Sequence, residues 1–185
     1  MRKRLLPALL WALPLLFFST PAELLMLASA VLLHEGGHLF GFFLTREPCP
    51  SLAAVASGLL LAPARPIGYR RELLILLLGP LCNLLIAIPL LFFCESEGGC
   101  TLAAVHLFSG LCNLYPLRRN DGGRALYDAV ALFAPPDTAE RIASLSSSVA
   151  LLLLVLLFLF FLLSPGGGGV ILLLIFLLSS ACAPT

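Results

Sequence analysis

The sequence predicts an all-α polytopic membrane protein, and three observations predict it. Of 185 residues, 60% are hydrophobic and only 11% are charged, where a soluble domain carries about a quarter charged residues. Mean hydropathy is +1.05. Apolar runs long enough to cross a bilayer recur along the chain, and every Lys and Arg falls into alternate connections between them. The length allows about six crossings at about 20 residues each, with nothing left for an appended soluble domain. A net charge of +1 creates no field that would gather nucleic acid. The lipid bilayer is the expected surrounding, and nucleic acid is not an expected partner.

The crossings are expected at about 5–19, 23–44, 72–93, 101–117, 145–163 and 170–183, in one membrane domain covering the chain. The runs Leu24–Leu44 and Leu73–Phe93 are each about 21 residues, or about 32 Å, which matches a hydrocarbon core. The first and last are shorter and must thin the bilayer or lean on neighbours. Arg2, Lys3 and Arg4, then Arg46, Arg65, Arg70 and Arg71, then Arg118, Arg119, Arg124 and Arg141 all fall on one side. The other side receives Glu23, Glu95, Glu97 and the neutral turn from Ser164 to Gly169. The positive-inside rule then puts both termini in the cytoplasm, and a bacterial cell membrane is the expected location. The first segment has a second reading, a secretory signal cleaved after Ala22. Cys94 and Cys100 flank an external loop and pair there only in an oxidising compartment; otherwise the six cysteines serve as small apolar residues.

The second crossing contains VLLHEGGHLFGF from Val31 to Phe42. An ionisable side chain at the centre of a membrane helix costs about 2.5–3.5 kcal/mol on insertion scales, so His34, Glu35 and His38 together need compensation. His34 and His38 stand four residues apart, on one helix face and about 6 Å apart along the axis. That spacing lets both imidazoles reach one metal ion, while Glu35, about 100° around, reaches a water beside it. A third ligand must lie at the depth of His38, about 9 Å from the cytoplasmic end of the span. The fourth crossing ends in LCNLYPLRRNDGGRAL, from Leu111 to Leu126. Pro116 breaks that helix, Gly122 and Gly123 let the chain bend, and irregular backbone at membrane depth requires a lined or wet cavity. Asp121 is therefore the expected third ligand, its plain structural reading being a helix or turn cap. Two imidazoles and one carboxylate leave a position of a tetrahedral zinc ion open, as a catalytic site requires. One catalytic zinc ion is the expected cofactor, Glu35 the general base, and peptide hydrolysis within the membrane the reaction.

These residues resemble the site-2 protease family of intramembrane zinc metalloproteases. The resemblance rests on His34-Glu35-Gly36-Gly37-His38, on Gly79-Pro80 followed by Asn83, and on Asn113, Pro116, Asp121, Gly122 and Gly123. It covers Ala22 to about Leu126, and the short connections look most like the bacterial sporulation-protease branch. It implies a three-helix catalytic core with zinc on His34, His38 and Asp121, Glu35 as base and Asn83 near the substrate. Asn113 is a weaker substrate-binding candidate. It also implies a membrane-tethered protein substrate, a transcription-factor precursor in that branch, cut in or near its transmembrane segment in regulated intramembrane proteolysis. From the residues alone, Asn83 offers its amide to a substrate or makes an interhelical hydrogen bond, and Asn113 satisfies backbone freed by Pro116. Arg118, Arg119 and Asn120 stand where relatives tend to have apolar residues or prolines, and His106 where an Asn is common. The arginines read as interface anchors or as contacts to lipid phosphates or a polar substrate flank; His106 reads as a packing histidine or a partner of the site. The 28 residues from Thr45 to Glu72 are too few for a PDZ domain, and no nucleotide-binding module follows the sixth span. Substrate selection then falls to the membrane core or to regulatory membrane partners.

The stretch from Ser51 to Gly68 is apolar but punctuated by Gly58, Pro63, Pro66 and Gly68, too interrupted for a span. It reads as a membrane-inserted loop or β-hairpin offering a strand edge to the substrate, or as a surface connection. A cytoplasmic helix is expected over Arg124–Phe133, stopped by Pro135 and Pro136, with Asp137 and Glu140 capping the entry to the fifth span. The fifth and sixth spans read as scaffold or gate. Two other functions compete: a membrane metal-ion transporter, since buried His and carboxylate groups also mark ion paths, and an inactive protease-like membrane chaperone. The first leaves Glu35 without a role, and the second leaves the complete His34, Glu35, His38 and Asp121 set without one.

Overall fold

The computed structural model describes residues 20–55 and 58–163. The expected first and sixth crossings lie outside the described residues. The chain is an all-α membrane protein with one short hairpin, in the order α1 (Pro21–Thr45), β1 (Ser51–Val55), β2 (Gly58–Ala62), α2 (Tyr69–Phe93), α3 (Glu97–Leu114), α4 (Asp121–Ala131) and α5 (Pro136–Leu163). Among the described residues α1, α2 and α5, of 25, 25 and 28 residues, are long and apolar enough to cross a membrane. The helix of the expected fourth crossing, α3, has 18 residues and opens with Glu97, Gly98 and Gly99, so its apolar part begins only at Leu102.

Local chemistry fixes the start of α1. Thr20 accepts from the backbone N–H of Glu23, and the Glu23 carboxylate accepts from the N–H of Thr20 at 2.7 Å, while Pro21 occupies the first turn. Such a reciprocal cap satisfies two donors that a helix start otherwise leaves unbonded. The buried residues of α1, which are Ala30, His34, Gly37, His38, Gly41 and Phe42, recur at helical spacing and form one face. That face packs on α2 through small residues. A Cβ on Gly37 would lie 2.5 Å from the carbonyl oxygen of Leu78, and one on Gly41 would lie 2.9 Å from Cα of Ile75. In a membrane, where helices gain nothing from hiding apolar surface from lipid, small residues that permit close backbone approach are the main source of association.

The hairpin pairs antiparallel, Ser51 opposite Ala62 through Val55 opposite Gly58. Its base is clamped by charge. Glu47, just beyond α1, accepts from Arg65 at 3.0 Å and from Arg71 in the first turn of α2 at 2.6 Å. Those two guanidiniums hold the Glu47 carboxyl below the ordinary carboxylate range.

The end of α3 departs from expectation. Helix α4 begins at Asp121 rather than Arg124, so Asp121 is the first residue of a helix and not part of a bend. Gly122 and Gly123 are helical, and their role is close approach: a Cβ on Gly122 would overlap the Leu114 carbonyl, and one on Gly123 the Leu117 carbonyl. The segment between the helices is held by Asn120, whose amide donates to the Cys112 carbonyl at 2.7 Å, and by Leu117, packed in a core with Ala150 and Leu154 of α5. Helix α5 is also longer than the expected fifth span. It starts at Pro136, with Thr138 N–H bonded to the Pro135 carbonyl, so Asp137 lies inside the first turn instead of capping it. Proline at the first helical position loses no bond, which is why the helix begins there.

Helix α4 packs its amphipathic inner face, Gly123, Ala125 and Asp128, against α2 and α5. Asp128 is buried and one of its carboxyl oxygens has no partner. Burial first, and then the charge of Glu72, raise its pKa to about 7 against the opposing charge of Arg124, itself bonded to Glu72 at 2.8 Å. An unfolded aspartate titrates near about 3.9. Between these values the folded chain holds a proton that the unfolded chain has lost, so stability falls as pH rises from about 4 to about 7 and levels off above. Asp128→Asn is expected to flatten that slope and to raise the melting temperature at pH 8. Thermal melts of the purified protein followed by helical circular dichroism from pH 5 to pH 8 check this; parallel curves for both proteins would contradict it.

Candidate metal centre

The packing of α1 on α2 sets the first two groups of the site. His34 and His38 lie on the inner face of α1, each 7% exposed, with ring centroids 4.6 Å apart. The His38 ring rests on Gly79 of α2, where an added Cβ would lie 2.5 Å from Cε1 and 2.6 Å from Nε2. Its Nδ1 is 2.8 Å from the carbonyl oxygen of Ile75. That oxygen can only accept, so Nδ1 carries a proton and Nε2 is the nitrogen available to a metal ion. Pro80, inside α2, removes the N–H that would bond the Leu76 carbonyl and crowds that turn, next to Ile75.

The third group arrives from α4. Asp121 Oδ2 is 3.0 Å from His34 Nε2 and 3.2 Å from His38 Nε2, and the two Nε2 atoms are 3.1 Å apart. These three donor atoms lie within 4.8 Å of one another. The positive end of the α4 dipole favours a carboxylate at its first residue, and the two glycines seat that helix end against α3. Asp121 Oδ2 and the two Nε2 atoms thus crowd one small buried space. With both Nε2 atoms deprotonated, the three would offer their electron pairs to one divalent cation. Tetrahedral zinc with bonds of about 2.0–2.2 Å needs donors about 3.3–3.6 Å apart; the donor types fit zinc, and the 3.0–3.2 Å separations need to open by only a few tenths of an ångström. Glu35, adjacent on α1 and half-buried, feels the charges of His34, His38 and Asp121. It stands beside the cluster but is not one of the three converging groups.

Asn83 and Asn113, the other two expected site residues, are not among the three converging groups. Asn83 is fully buried; its amide donates to Ser109 Oγ at 2.9 Å and its oxygen accepts from His106 Nδ1 at 3.0 Å. Asn113, half-buried, donates to the Ser109 carbonyl of its own helix at 3.0 Å. Sequence reading also underweighted His106. It is buried, and besides Asn83 its Nε2 meets Ser29 Oγ of α1 at 3.3 Å, so one imidazole joins α1, α2 and α3. The signal was present: a polar ring within an apolar helix needs partners, and Ser29, Asn83 and Ser109 are polar positions in neighbouring apolar runs. The seat that Gly79 and the Ile75 carbonyl provide for His38 carried no comparable signal.

No protein-family model matches the chain, and no curated protein matches it. Among solved structures the chain is similar to the site-2 protease from Methanocaldococcus jannaschii, with a TM-score of 0.64 over 96% of this chain and 85% of that chain, at 24% sequence identity. The chain has the fold of a site-2 protease.

The geometry makes Gly79 a demanding position. Gly79→Ala is expected to push the His38 ring off the Ile75 carbonyl and to weaken zinc retention at least about tenfold, while helix content is kept. Equilibrium dialysis against zinc beside circular dichroism checks it; unchanged retention would show that the ring has room to spare.

Proposed function

We propose that the protein is an intramembrane zinc metalloprotease that hydrolyses a peptide bond in or near the transmembrane segment of a membrane-tethered protein. The observation that carries this reading is the meeting of His34 Nε2, His38 Nε2 and Asp121 Oδ2 within 4.8 Å, with Glu35 beside them, in a chain of site-2 protease fold. His34, His38 and Asp121 would hold the ion. Bound there, zinc supplies Lewis acidity to the scissile carbonyl and to a water molecule. Glu35 takes a proton from the attacking water and passes it to the leaving amine. The contact with Ile75 keeps His38 in the tautomer that leaves Nε2 free, and Asp121 contributes the negative charge that offsets the cation.

A helical substrate hides its peptide bonds and must be held extended to be cut. The β1–β2 hairpin supports that step, since a two-stranded sheet can receive a third strand from the substrate. Its clamped base, Glu47 with Arg65 and Arg71, holds it at the end of the bundle where α1 stops and α2 starts. Asn113 is the candidate for substrate contact among the polar groups of α3. Asn83, buried and bonded on both sides of its amide, would have to exchange one of those bonds to meet a substrate. The positive-inside arrangement of the arginines supports cytoplasmic termini and a site toward the cytoplasm. The resemblance to sporulation proteases supports a bacterial membrane, a transcription-factor precursor as substrate and regulation by membrane partners.

Glu35→Gln is expected to retain zinc and to lower cleavage of a co-expressed membrane-tethered substrate by about 10²–10⁴, while Asp121→Ala loses zinc itself. Metal analysis of both variants beside a cleavage assay tests this. Full cleavage by Glu35→Gln would remove the mechanism, and zinc flux into sealed vesicles that disappears with Asp121→Ala would assign the site to transport.

A further inference from the structure

Away from the metal centre, two cysteines occupy one small space where α2 passes into α3. Cys94 follows the last residue of α2, and Cys100 lies in the first turns of α3, whose N-cap is Ser96. The Cys94 thiol lies so closely over Gly99 that any Cβ there would overlap its sulfur. The Cys100 thiol reaches back to the Cys94 carbonyl oxygen at 3.6 Å. Each thiol thus lies against the other residue's end of the loop, Cys94 Sγ over Gly99 and Cys100 Sγ at the Cys94 carbonyl. Both are free thiols, Cys94 half-buried and Cys100 exposed.

The two thiols are not equivalent. Cys94 Sγ is 3.3 Å from Ser96 Oγ, and bonding from the Ser96 hydroxyl and backbone holds its thiol below the ordinary range, against a smaller effect of burial. The start of a helix favours a thiolate for the same reason that it favours other anions. Cys94 is the better attacking group, and Cys100, one residue beyond Gly99, stands where a resolving thiol belongs.

We propose that Cys94 and Cys100 form a redox-active pair that closes reversibly into an intrachain disulfide linking the end of α2 to the start of α3. The co-reactant is a disulfide-bearing thiol oxidant, small or protein. Cys94 thiolate attacks one sulfur of that disulfide, forming a mixed disulfide and releasing the oxidant's other sulfur as a thiolate. Cys100 thiolate then attacks the Cys94 sulfur, and the second oxidant thiolate leaves. The chain loses two protons and two electrons, and the oxidant is reduced to two thiols. Because the closed loop is short, the link removes little freedom from the unfolded chain, so its effect is local: it fixes the junction of the two helices that share the Asn83–His106 bond. The proposal does not depend on the protease reading.

The test is oxidation of the purified full chain with glutathione disulfide, a maleimide quench and non-reducing peptide mapping by mass spectrometry. The expected product is a Cys94–Cys100 linked peptide about 2 Da lighter than its dithiol. Cys100→Ser is expected to accumulate a glutathione adduct on Cys94 that the unsubstituted protein resolves. Gly99→Ala, which turns the Cys94 thiol aside, is expected to close about fivefold more slowly or worse. Recovery of both cysteines as separate maleimide adducts, or a stable glutathione adduct on the unsubstituted chain, would overturn the proposal. So would an unchanged closing rate in Gly99→Ala. The outcome on the unsubstituted chain decides the matter even if a variant fails to fold.

Discussion

The contact on which the rest of the structure depends is the seating of the His38 ring on Gly79, with its Nδ1–H given to the Ile75 carbonyl at 2.8 Å. It does three things at once. It brings the axes of α1 and α2 together where lipid supplies no hydrophobic drive, satisfies half of a buried imidazole, and fixes which nitrogen remains as an electron-pair donor. A ring without that acceptor would carry its proton on either nitrogen and would have no fixed direction. The cost of polar groups inside a membrane is met here by making each one part of the packing.

Asp121 comes by a different route. A carboxylate within a spanning helix would carry its own burial cost, whereas the first residue of a short helix approaches from the end of the bundle and gains from the helix dipole. Pro116 ends α3, Leu117 is locked against Ala150 and Leu154 of α5, and Asn120 ties the turn to Cys112. Gly122 and Gly123 then let α4 start close against the Leu114 carbonyl at the end of α3 and the Leu117 carbonyl of the turn, which delivers the carboxylate. Helix α5 belongs to the site in this indirect sense: it holds the turn that aims Asp121.

Much of this was legible in the sequence because it follows from helix periodicity. His34 and His38 four residues apart share a face in any α-helix, and depth below the span end selected Asp121 from among the acidic residues on that side. The punctuation of Ser51–Gly68 likewise announced something other than a span, and the hairpin is what the structure has there. What was not legible depends on backbone proximity between segments. Gly122 and Gly123 read as a bend because glycine permits one, yet both are helical and small because another backbone passes over them. Pro136 read as a stop and is a start, since only the preceding capping geometry separates the two. His106 read as a packing histidine or a partner of the site, and its partners, Ser29 and Asn83, depend on how three helices pack. Asn83 read as a substrate contact or an interhelical hydrogen bond, and its two bonds to α3 are interhelical.

The central claim is that two imidazoles and one carboxylate bind a single zinc ion. X-ray absorption at the zinc edge of the purified protein tests it most directly. The account predicts one zinc per chain in a first shell of nitrogen and oxygen at about 2.0–2.2 Å, with the outer-shell scattering of two imidazoles. A sulfur shell near about 2.3 Å, or a spectrum with no imidazole scattering, would contradict it.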